Sequence, residues 1–211
     1  LWEVKCDGPS LQSFRPNLRG ELSELGYNYV YHYWCTIPRQ GKGYSGCMVI
    51  SRDKPTSIQP GLGVRRLDKE ARFVTVRYED TTVVGSYSPC CTPSAEGLSQ
   101  RRVEFETKLR SHLKTELAQQ PRTMCIGDLN VVPELHDVDT SDMKEERKAI
   151  TLKCQAEERK YYKRTMTECA LVDAYREKHP DPQPSDATWK RRTNTKEFPK
   201  SSRIDVCSYP R

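Results

Sequence analysis

The chain of 211 residues lacks several features that would place it in a broad class at once. No apolar stretch approaches the roughly 20 residues that a membrane-spanning helix requires, so no membrane span is predicted. Its nine cysteines include no CxxC pair and no Cys/His array of the zinc type. No internal repeat, low-complexity segment or linker divides the sequence. We therefore predict one domain over residues 1–211.

The cysteine pattern favours a reducing compartment. An odd number of cysteines cannot all pair with one another, and Cys47, Cys125 and Cys207 lie in apolar, strand-like runs, where cysteine behaves as a small hydrophobic residue. We therefore predict an intracellular protein. The chain begins at Leu1 without an initiator methionine and shows no signal peptide, so we expect a fragment or missing first residues.

Positive charge is concentrated near the end of the chain. The net charge of the whole sequence is only +6, but residues 187–211 hold seven basic and two acidic residues, a local charge of +5. The basic residues are Lys190, Arg191, Arg192, Lys196, Lys200, Arg203 and Arg211. Such a segment is either a contact surface for phosphate backbones or a solvated charged surface, and charge alone leaves both interpretations open.

Short strand-like segments alternate with two long helical ones. Runs rich in Val, Ile, Thr and Tyr predict strands at 46–51, 72–78, 81–88, 122–128 and 202–208. The second and third of these predict a hairpin with Glu79 and Asp80 at its turn. Helical spacing of apolar residues predicts helices over 98–120 and 148–169, and residues 138–147 read as a polar surface loop. This pattern favours an α+β or layered α/β domain over a doubly wound parallel sheet.

Polar side chains of similar kind recur near strand ends: Glu3, Tyr87, Asp128, Asn130 and Asp205. Each residue alone has an ordinary explanation, such as a turn, a strand cap or a packed tyrosine. As a set they fit a phosphodiester-cleaving site, because such a site needs a carboxylate for a hard cation, a base for water and donors to phosphate. Glu3 would hold the metal ion and Asp128 would orient or deprotonate the water.

Six segments, in order along nearly the whole chain, resemble exonuclease III-type apurinic/apyrimidinic (AP) endonucleases of the endonuclease/exonuclease/phosphatase superfamily. The segments LWEVK, GKGYSGCMVISR and VVGSYSP resemble the family motifs L-Q-E-T-K, G-Y-S-G-V-x-x-x-S-R and Y-x-P-N. The segments IGDLNVVPELHDV, LVDAYREKHPD and SRIDVCS resemble G-D-L-N-V-A-x-E-x-I-D, L-x-D-x-F-R-x-x-x-P and W-R-L-D-Y.

The resemblance implies a four-layered α/β sandwich, made of two packed mixed sheets flanked by helices. It also implies Mg²⁺-dependent hydrolysis, with Mn²⁺ as the alternative ion, of the phosphodiester 5′ to an abasic site in DNA. By motif position, Glu3 would bind the metal ion, Tyr87 would be the active-site tyrosine and Asp128 would activate the attacking water. Asn130 would contact the scissile phosphate, and Asp205 would orient a catalytic histidine.

The same resemblance implies a DNA-binding surface. Lys5, Gly43, Tyr44 and Arg72 match positions near the DNA backbone. The basic stretch 190–203 matches a loop that such enzymes insert into the minor groove. The DNA-binding residues implied there are Trp189, Lys190, Arg191, Arg192 and Arg203. The expected partner is double-stranded DNA with abasic sites, bound by a monomer, and the expected compartment is the nucleus in a eukaryote, with the mitochondrion as the alternative.

The sequence also departs from the family pattern. The family's first strand would precede Leu1 and its C-terminal S-D-H would follow Arg211, so we expect a domain that is incomplete at both ends. Cys90 stands where the family has the Asn of Y-x-P-N, and Ser202 replaces the Trp before R-L-D. Two hypotheses therefore stand. The protein is a DNA-repair endonuclease, or it is a catalytically degenerate relative that keeps the fold as a nucleic-acid-binding or assembly module.

Overall fold

A computed structural model of the chain describes residues 1, 3–5, 17–37, 43–90, 98–181, 183, 186–192 and 199–210. The chain divides into two compact units, Leu1–Tyr87 and Ser88–Arg211. The single domain expected from the sequence stays a prediction. Among the helices of the described ranges, none has the length and apolar character that crossing a membrane requires.

The first unit is built from a hairpin, a three-stranded antiparallel sheet and short helices. Residues 17–24 are helical (α1). Strand β1 (Tyr29–Tyr33) pairs with β2 (Cys47–Ser51). Strands β3 (Ser57–Pro60), β4 (Phe73–Arg77) and β5 (Thr82–Ser86) form the sheet in the order β3-β4-β5, and the short helix α2 (Arg65–Asp68) lies between β3 and β4 in the chain.

The predicted hairpin is confirmed as β4–β5. Arg77 is the register partner of Thr82, and the Tyr78 amide donates to the Thr81 carbonyl at 2.8 Å, which leaves Glu79 and Asp80 at the turn. Val74 and Val76, on one face of β4, pack with Cys47 of β2. Phe73 and Thr75, which point to the opposite face of β4, are buried as well, so this strand is covered on both faces.

The second unit combines two sheets with two long helices. Strands β6 (Thr123–Asp128), β11 (Asp205–Pro210) and β8 (Leu171–Asp173) are antiparallel in the order β6-β11-β8. Strands β7 (Val138–Asp139), β10 (Ser201–Ser202) and β9 (Trp189–Lys190) form a smaller sheet in the order β7-β10-β9. The helices are α3 (Gln100–Gln119), α4 (Glu145–Glu168) and α5 (Ala174–Lys178), with a 3₁₀ turn, η1, at Leu135–Asp137.

The two long helices confirm the predicted pair, with one corrected boundary. Helix α3 begins after Ser99, whose hydroxyl accepts from the Arg102 amide at 3.3 Å as an N-cap. Helix α4 begins at Glu145, three residues before the predicted start, because two glutamates in its first turn suit the positive end of the helix dipole. The loop predicted over 138–147 is therefore wrong at both ends, since β7 occupies 138–139.

The last strand also begins later than predicted. Residues 201–202 belong to β10, and β11 starts only at Asp205. Between them the Ile204 amide donates to the Thr188 hydroxyl at 3.1 Å, a side-chain contact that replaces a strand-ladder bond. A contact with a residue 16 positions away cannot be read from local strand patterning.

Of the cysteines that the structure describes, Cys35, Cys47, Cys125, Cys169 and Cys207 are free thiols. Burial raises the pKa of both Cys47 and Cys125 to about 12. These two thiols are therefore protonated at neutral pH and act as small apolar side chains, as their positions in apolar runs predicted.

A buried cluster of charges joins helices α3 and α4. The Arg102 side chain, 1% exposed, lies 2.9 Å from the Glu106 carboxylate and 4.0 Å from that of Glu158. Burial raises the pKa of Glu158 to about 7, against the attraction of Arg102 and with the repulsion of Glu106. Glu158 therefore takes up a proton on folding at mildly acidic pH.

This protonation predicts a pH-dependent stability. The unfolded chain releases the Glu158 proton near pH 4.5 and the folded chain near pH 7, so the free energy of unfolding falls as the pH rises through this window. From about pH 5 to about pH 7.5, the free energy of unfolding of the wild type should fall by about 2 kcal/mol more than that of the Glu158→Gln variant. Urea unfolding at the two pH values measures this difference.

The matched control is Glu157→Gln, one residue earlier on α4, where the carboxylate is 38% exposed and pairs with Lys160. This variant should keep the pH dependence of the wild type. An identical pH dependence in the wild type and in Glu158→Gln would contradict the prediction.

Candidate active site

In the first unit, Tyr87 and Glu3 form a direct hydrogen bond. Tyr87 follows β5, its side chain is buried at 7% exposure, and its hydroxyl donates to the Glu3 carboxylate. Burial raises the pKa of Tyr87, the Glu3 carboxylate raises it further, and Arg72 lowers it without reversing the shift. The phenol is therefore a stable proton donor at neutral pH.

Glu3 is held where its carboxylate meets solvent. The flanking backbone is anchored because the Val4 amide donates to the Gly46 carbonyl at 3.3 Å and the Lys5 amide to that of Ser45 at 2.9 Å. The Glu3 carboxylate is 45% exposed and lies 3.2 Å from the Lys5 ammonium. Partial burial acts to raise the pKa of Glu3, but the Tyr87 and Lys5 contacts outweigh it and leave that pKa below its ordinary value.

Arg72 lies beneath this pair. Its side chain is 5% exposed, donates to Glu70 at 2.7 Å and to the Tyr44 hydroxyl at 2.8 Å, and lies 4.3 Å from the centre of the Tyr87 ring. The guanidinium therefore supports the Tyr87 side chain from inside the unit. The DNA contact expected of Arg72 stays a prediction, as does that of Tyr44.

Gly43 marks an exposed corner beside Lys5. Its φ of +76° lies in the left-handed region, which favours glycine, and a Cβ there would lie 3.8 Å from the Lys5 carbonyl. The two residues that the resemblance assigned to DNA at this point are therefore neighbours. Their contact with DNA stays a prediction.

In the second unit, Asp128 ends β6 and closes a turn with Asn130. The Asn130 amide donates to the Asp128 carboxylate at 2.9 Å, and Asn130 has a φ of +45°, a conformation that asparagine tolerates. The Asn130 side-chain amide donates to the Ser88 carbonyl at 2.9 Å, and the Ser88 amide donates to the Asp128 carbonyl at 2.9 Å. The capping role considered for these residues is thus present, and it fixes two polar side chains at the strand end.

Asp205 lies directly across the sheet from Asp128. The two residues are register partners in the β6–β11 pair, and the Asp205 amide donates to the Thr188 hydroxyl at 3.2 Å. Like charges at directly opposite positions destabilise a strand pair. Such a cost is typical of functional sites, where carboxylates are gathered for chemistry or for a cation.

The basic segment is only partly available to a ligand. Trp189 is 37% exposed, and Lys190 and Arg192 are also exposed. Arg191 pairs with Asp142 at 2.5 Å. Lys196 and Arg211 lie outside the described residues. Lys190, Arg192 and Lys200 are therefore the exposed cations in the described part of this segment, and the Lys200 ammonium lies 3.8 Å from the Asp139 carboxylate.

Arg203 is a structural cation in this fold. Its side chain is 3% exposed and bonds Asp137 at 3.1 Å and Asp173 at 2.8 Å, while Arg176 bonds Asp137 at 2.6 Å. Burial acts to lower the pKa of Arg203, and the two aspartates reverse this and raise it. The LVDAYREKHPD segment thus supplies one partner of Arg203, Asp173, and the IGDLNVVPELHDV segment supplies the other, Asp137. The DNA contact expected of Arg203 stays a prediction.

The donor set of the first unit fits a hard divalent cation. Within the ranges that the structure describes, no three His, Cys, Asp or Glu side chains are grouped so that they could hold a metal ion. Mg²⁺ needs fewer protein ligands, because it keeps several waters and uses one or two carboxylates together with substrate phosphate. The ionised, half-exposed carboxylate of Glu3 meets that requirement.

Three residues that hold the Asp128 turn and Asp205 in the second unit were not found from the sequence: Ser88, Arg102 and Thr188. Arg102 left a usable signal, because Arg102 and Glu106 are a charged i,i+4 pair on the same helix face as Phe105 and Leu109. Ser88 and Thr188 act through a backbone carbonyl and a hydroxyl toward residues distant in the chain. No local sequence pattern predicts such contacts.

The chain belongs to the Endonuclease/Exonuclease/phosphatase family, whose model matches residues 4–207. It is 31% identical to the exodeoxyribonuclease of Bacillus subtilis (strain 168) over 83% of this chain and 66% of that protein. It is 30% identical to the DNA-(apurinic or apyrimidinic site) endonuclease of Dictyostelium discoideum, over 82% and 45%, and 29% identical to the DNA repair nuclease APEX1 of Danio rerio, over 72% and 47%. The chain thus spans between about half and two thirds of these relatives' lengths.

Solved structures show the same fold. The 3′-5′ exonuclease of Neisseria meningitidis superimposes with a TM-score of 0.72 at 19% identity, over all of this chain and 75% of that one. An AP endonuclease from Archaeoglobus fulgidus gives a TM-score of 0.70 at 20% identity, over 98% and 73%. These likenesses confirm the predicted α/β sandwich, and the relatives confirm the resemblance to AP endonucleases. Nucleases of this family depend on divalent metal ions.

The Tyr87–Glu3 hydrogen bond predicts a measurable shift. Replacing Tyr87 by Phe removes the donor that stabilises the ionised carboxylate, so the pKa of Glu3 should rise toward its ordinary value. A ¹³C NMR titration of the Glu3 carboxyl carbon measures the shift. Tyr78→Phe is the control, since the Tyr78 hydroxyl contacts Ser51 instead. Equal Glu3 titration in Tyr87→Phe and in the wild type would refute the prediction.

Proposed function

We propose that the full-length protein is a Mg²⁺-dependent DNA-repair endonuclease that hydrolyses the phosphodiester 5′ to abasic sites. The observation that carries the proposal is the placement of Asp128 opposite Asp205 at the end of β6, beside the Asn130 turn, in a member of this nuclease family. Two relatives are named for action at abasic sites or in DNA repair.

Asp128 and Asn130 have separate roles in the proposed reaction. The carboxylate of Asp128 orients the attacking water and accepts its proton. Asn130 uses one side-chain N–H for the Ser88 carbonyl, and its amide group has a second N–H that can donate to a phosphate oxygen. A donor held in advance stabilises the charge that develops on phosphate without reorganising during the reaction.

Glu3 is the proposed metal ligand and Tyr87 supports it. The Tyr87 hydroxyl holds one carboxylate oxygen, and the other faces Lys5 at the surface. A bound Mg²⁺ would supply Lewis-acid stabilisation of the phosphoryl oxygens. Asp205, exposed and held through its backbone by Thr188, is proposed to orient a histidine, as the family resemblance implies.

Trp189, Lys190 and Arg192 form the proposed DNA contact of the second unit. The two cations are suited to phosphate oxygens, and an exposed indole can stack on a base or cover an abasic sugar. Lys5 and Gly43 are proposed to meet the DNA backbone from the first unit. The proposed partner is double-stranded DNA bound by a monomer. The proposed compartment is intracellular and reducing, which agrees with free thiols such as Cys35, Cys47 and Cys125.

The alternative function is a nucleic-acid-binding module without catalysis. One observation favours it. Cys90 is exposed and stands where the resemblance expects an Asn, and a thiol is a weaker hydrogen-bond donor than a carboxamide. Incision assays and binding assays on the same protein separate the two functions.

The first functional prediction concerns Asp128→Asn. An asparagine oxygen can still accept from the Asn130 amide, so the turn survives while the base is lost. Incision of a duplex with an abasic-site analogue, in Mg²⁺, should fall at least about 10²-fold, with DNA affinity kept. EDTA should abolish the wild-type cut.

The control is Asp139→Asn, because Asp139 makes a similar turn, accepting from the Ser141 amide at 3.0 Å. It should cut like the wild type. If the full-length protein binds the duplex but does not cut it in Mg²⁺, the result would contradict the enzyme hypothesis and favour the nucleic-acid-binding module.

The second functional prediction concerns binding. The double variant Lys190→Ala/Arg192→Ala should weaken DNA binding and reduce the slope of log affinity against log salt by about 2, since each phosphate contact contributes about 0.9. Fluorescence anisotropy over a salt series measures the slope. A charge-matched control, Lys108→Ala/Lys160→Ala on the exposed faces of α3 and α4, should leave the slope unchanged. Equal slopes for the two double variants would exclude the assigned surface.

A further inference from the structure

Arg102 donates to two backbone carbonyls from the first turn of helix α3. One guanidinium nitrogen bonds the Pro89 carbonyl at 2.5 Å, and the other bonds the Leu129 carbonyl at 2.7 Å. The side chain is 1% exposed, and it is the largest by volume of the fully buried side chains in the described part of the chain. The planar fork of arginine is suited to bridging two acceptors in this way.

The two carbonyls belong to the segments that form the Asp128 turn. Leu129 lies between Asp128 and Asn130. Pro89 follows Ser88, whose backbone amide bonds Asp128 and whose carbonyl accepts from the Asn130 side chain. Arg102 therefore holds both sides of the same hydrogen-bonded assembly.

The charge of Arg102 is balanced without using the carbonyls. Its Nε lies 2.9 Å from Glu106, and Glu158 is 4.0 Å away, with both carboxylates under 10% exposed. A buried cation needs such partners, because an unpaired charge in the interior is costly. The two terminal nitrogens hydrogen-bond the backbone carbonyls, and the one that bonds Pro89 is also the atom 4.0 Å from Glu158. A charged donor makes a stronger bond to a carbonyl than a neutral one.

Helix α3 does not need these bonds to stay in place. Phe105, Leu109 and Leu113 on the same helix are each at most 2% exposed, so apolar burial anchors it. The turn is held mainly by hydrogen bonds, among them the one that the Leu129 amide donates to the Ile204 carbonyl at 3.1 Å. Asn130 is in the left-handed region, and Leu129 packs with Val131, Val206 and Tyr162 in a small cluster.

We propose that Arg102 is a positioning residue for the nuclease site, which sets the directions of the Asp128 carboxylate and the Asn130 amide by tying Leu129 to Pro89. Its effect on incision rests on the proposed function. Its effect on the order of the turn does not, and can be measured without DNA or metal.

The test variant is Arg102→Lys in the full-length protein. Lysine keeps a positive charge for Glu106 and Glu158, but a single ammonium does not reproduce the fork across two carbonyls. We expect amide hydrogen exchange at Asn130 to rise at least about tenfold. We expect kcat for abasic-site incision to fall about 10²-fold with KM unchanged, because a small misplacement of a reacting group has an effect of that size.

The matched control is Arg110→Lys. Arg110 is also buried on α3, at 7% exposure, and pairs with Glu168 at 3.5 Å. It should leave both Asn130 exchange and kcat near wild-type values. If Arg102→Lys does not fold, the double variant Arg102→Gln/Glu106→Gln, which removes the closer ion pair as a whole, replaces it, with Glu106→Gln alone as its reference.

Unchanged Asn130 exchange in the folded Arg102 variant would overturn the proposal, as would equal losses of exchange protection and kcat in the Arg110 control. A wild-type protein that cuts no DNA would refute the proposed function, and the exchange measurement would still decide the role of Arg102. Faster Asn130 exchange confined to the Arg102 variant supports the proposal.

Discussion

The hydrogen bond from the Asn130 amide to the Asp128 carboxylate is the contact on which the polar end of the second unit depends. It turns the chain through a left-handed residue and directs two side chains from the end of β6. Around it, Ser88 closes the turn from one side, Arg102 holds its backbone from below, and β11 places Asp205 opposite. One acidic side chain is thus both a structural acceptor and the proposed base, since a carboxylate has more acceptor positions than the turn uses.

Much of the fold could be predicted because its signals are local. Runs rich in Val, Ile, Thr and Tyr predicted the positions of β2, β4, β5 and β6, and helical spacing of apolar residues predicted α3. The starts of α4 and β11 could not be read in this way. Charged residues in the first turn of a helix look like loop residues. The start of β11 is set by a contact with Thr188, which is distant in sequence. Strands β1, β3, β8 and β9 were missed as well.

The candidate site, too, was predicted where its signals are local and was not predicted where they depend on distant residues. Glu3, Tyr87, Asp128, Asn130 and Asp205 were found from strand-end positions and family resemblance. The state of each arginine could not be found, because a run of cations does not show which members have an acidic partner elsewhere. Arg203 has Asp137, 66 residues away, and Arg191 has Asp142, 49 residues away. The formal charge of the segment therefore overstates the charge it can offer to DNA, because part of it neutralises aspartates within the protein.

The left-handed conformation of Asn130 limits which substitutions this position can accept. A glycine would adopt the same backbone at no steric cost and would preserve the turn, whereas a branched side chain would not. Glycine would nevertheless remove the side-chain amide that bonds Ser88. The fold and the proposed chemistry thus place different requirements on one residue. A relative without catalytic activity could carry glycine at this position and keep the turn after β6. Asparagine is the residue that satisfies both demands.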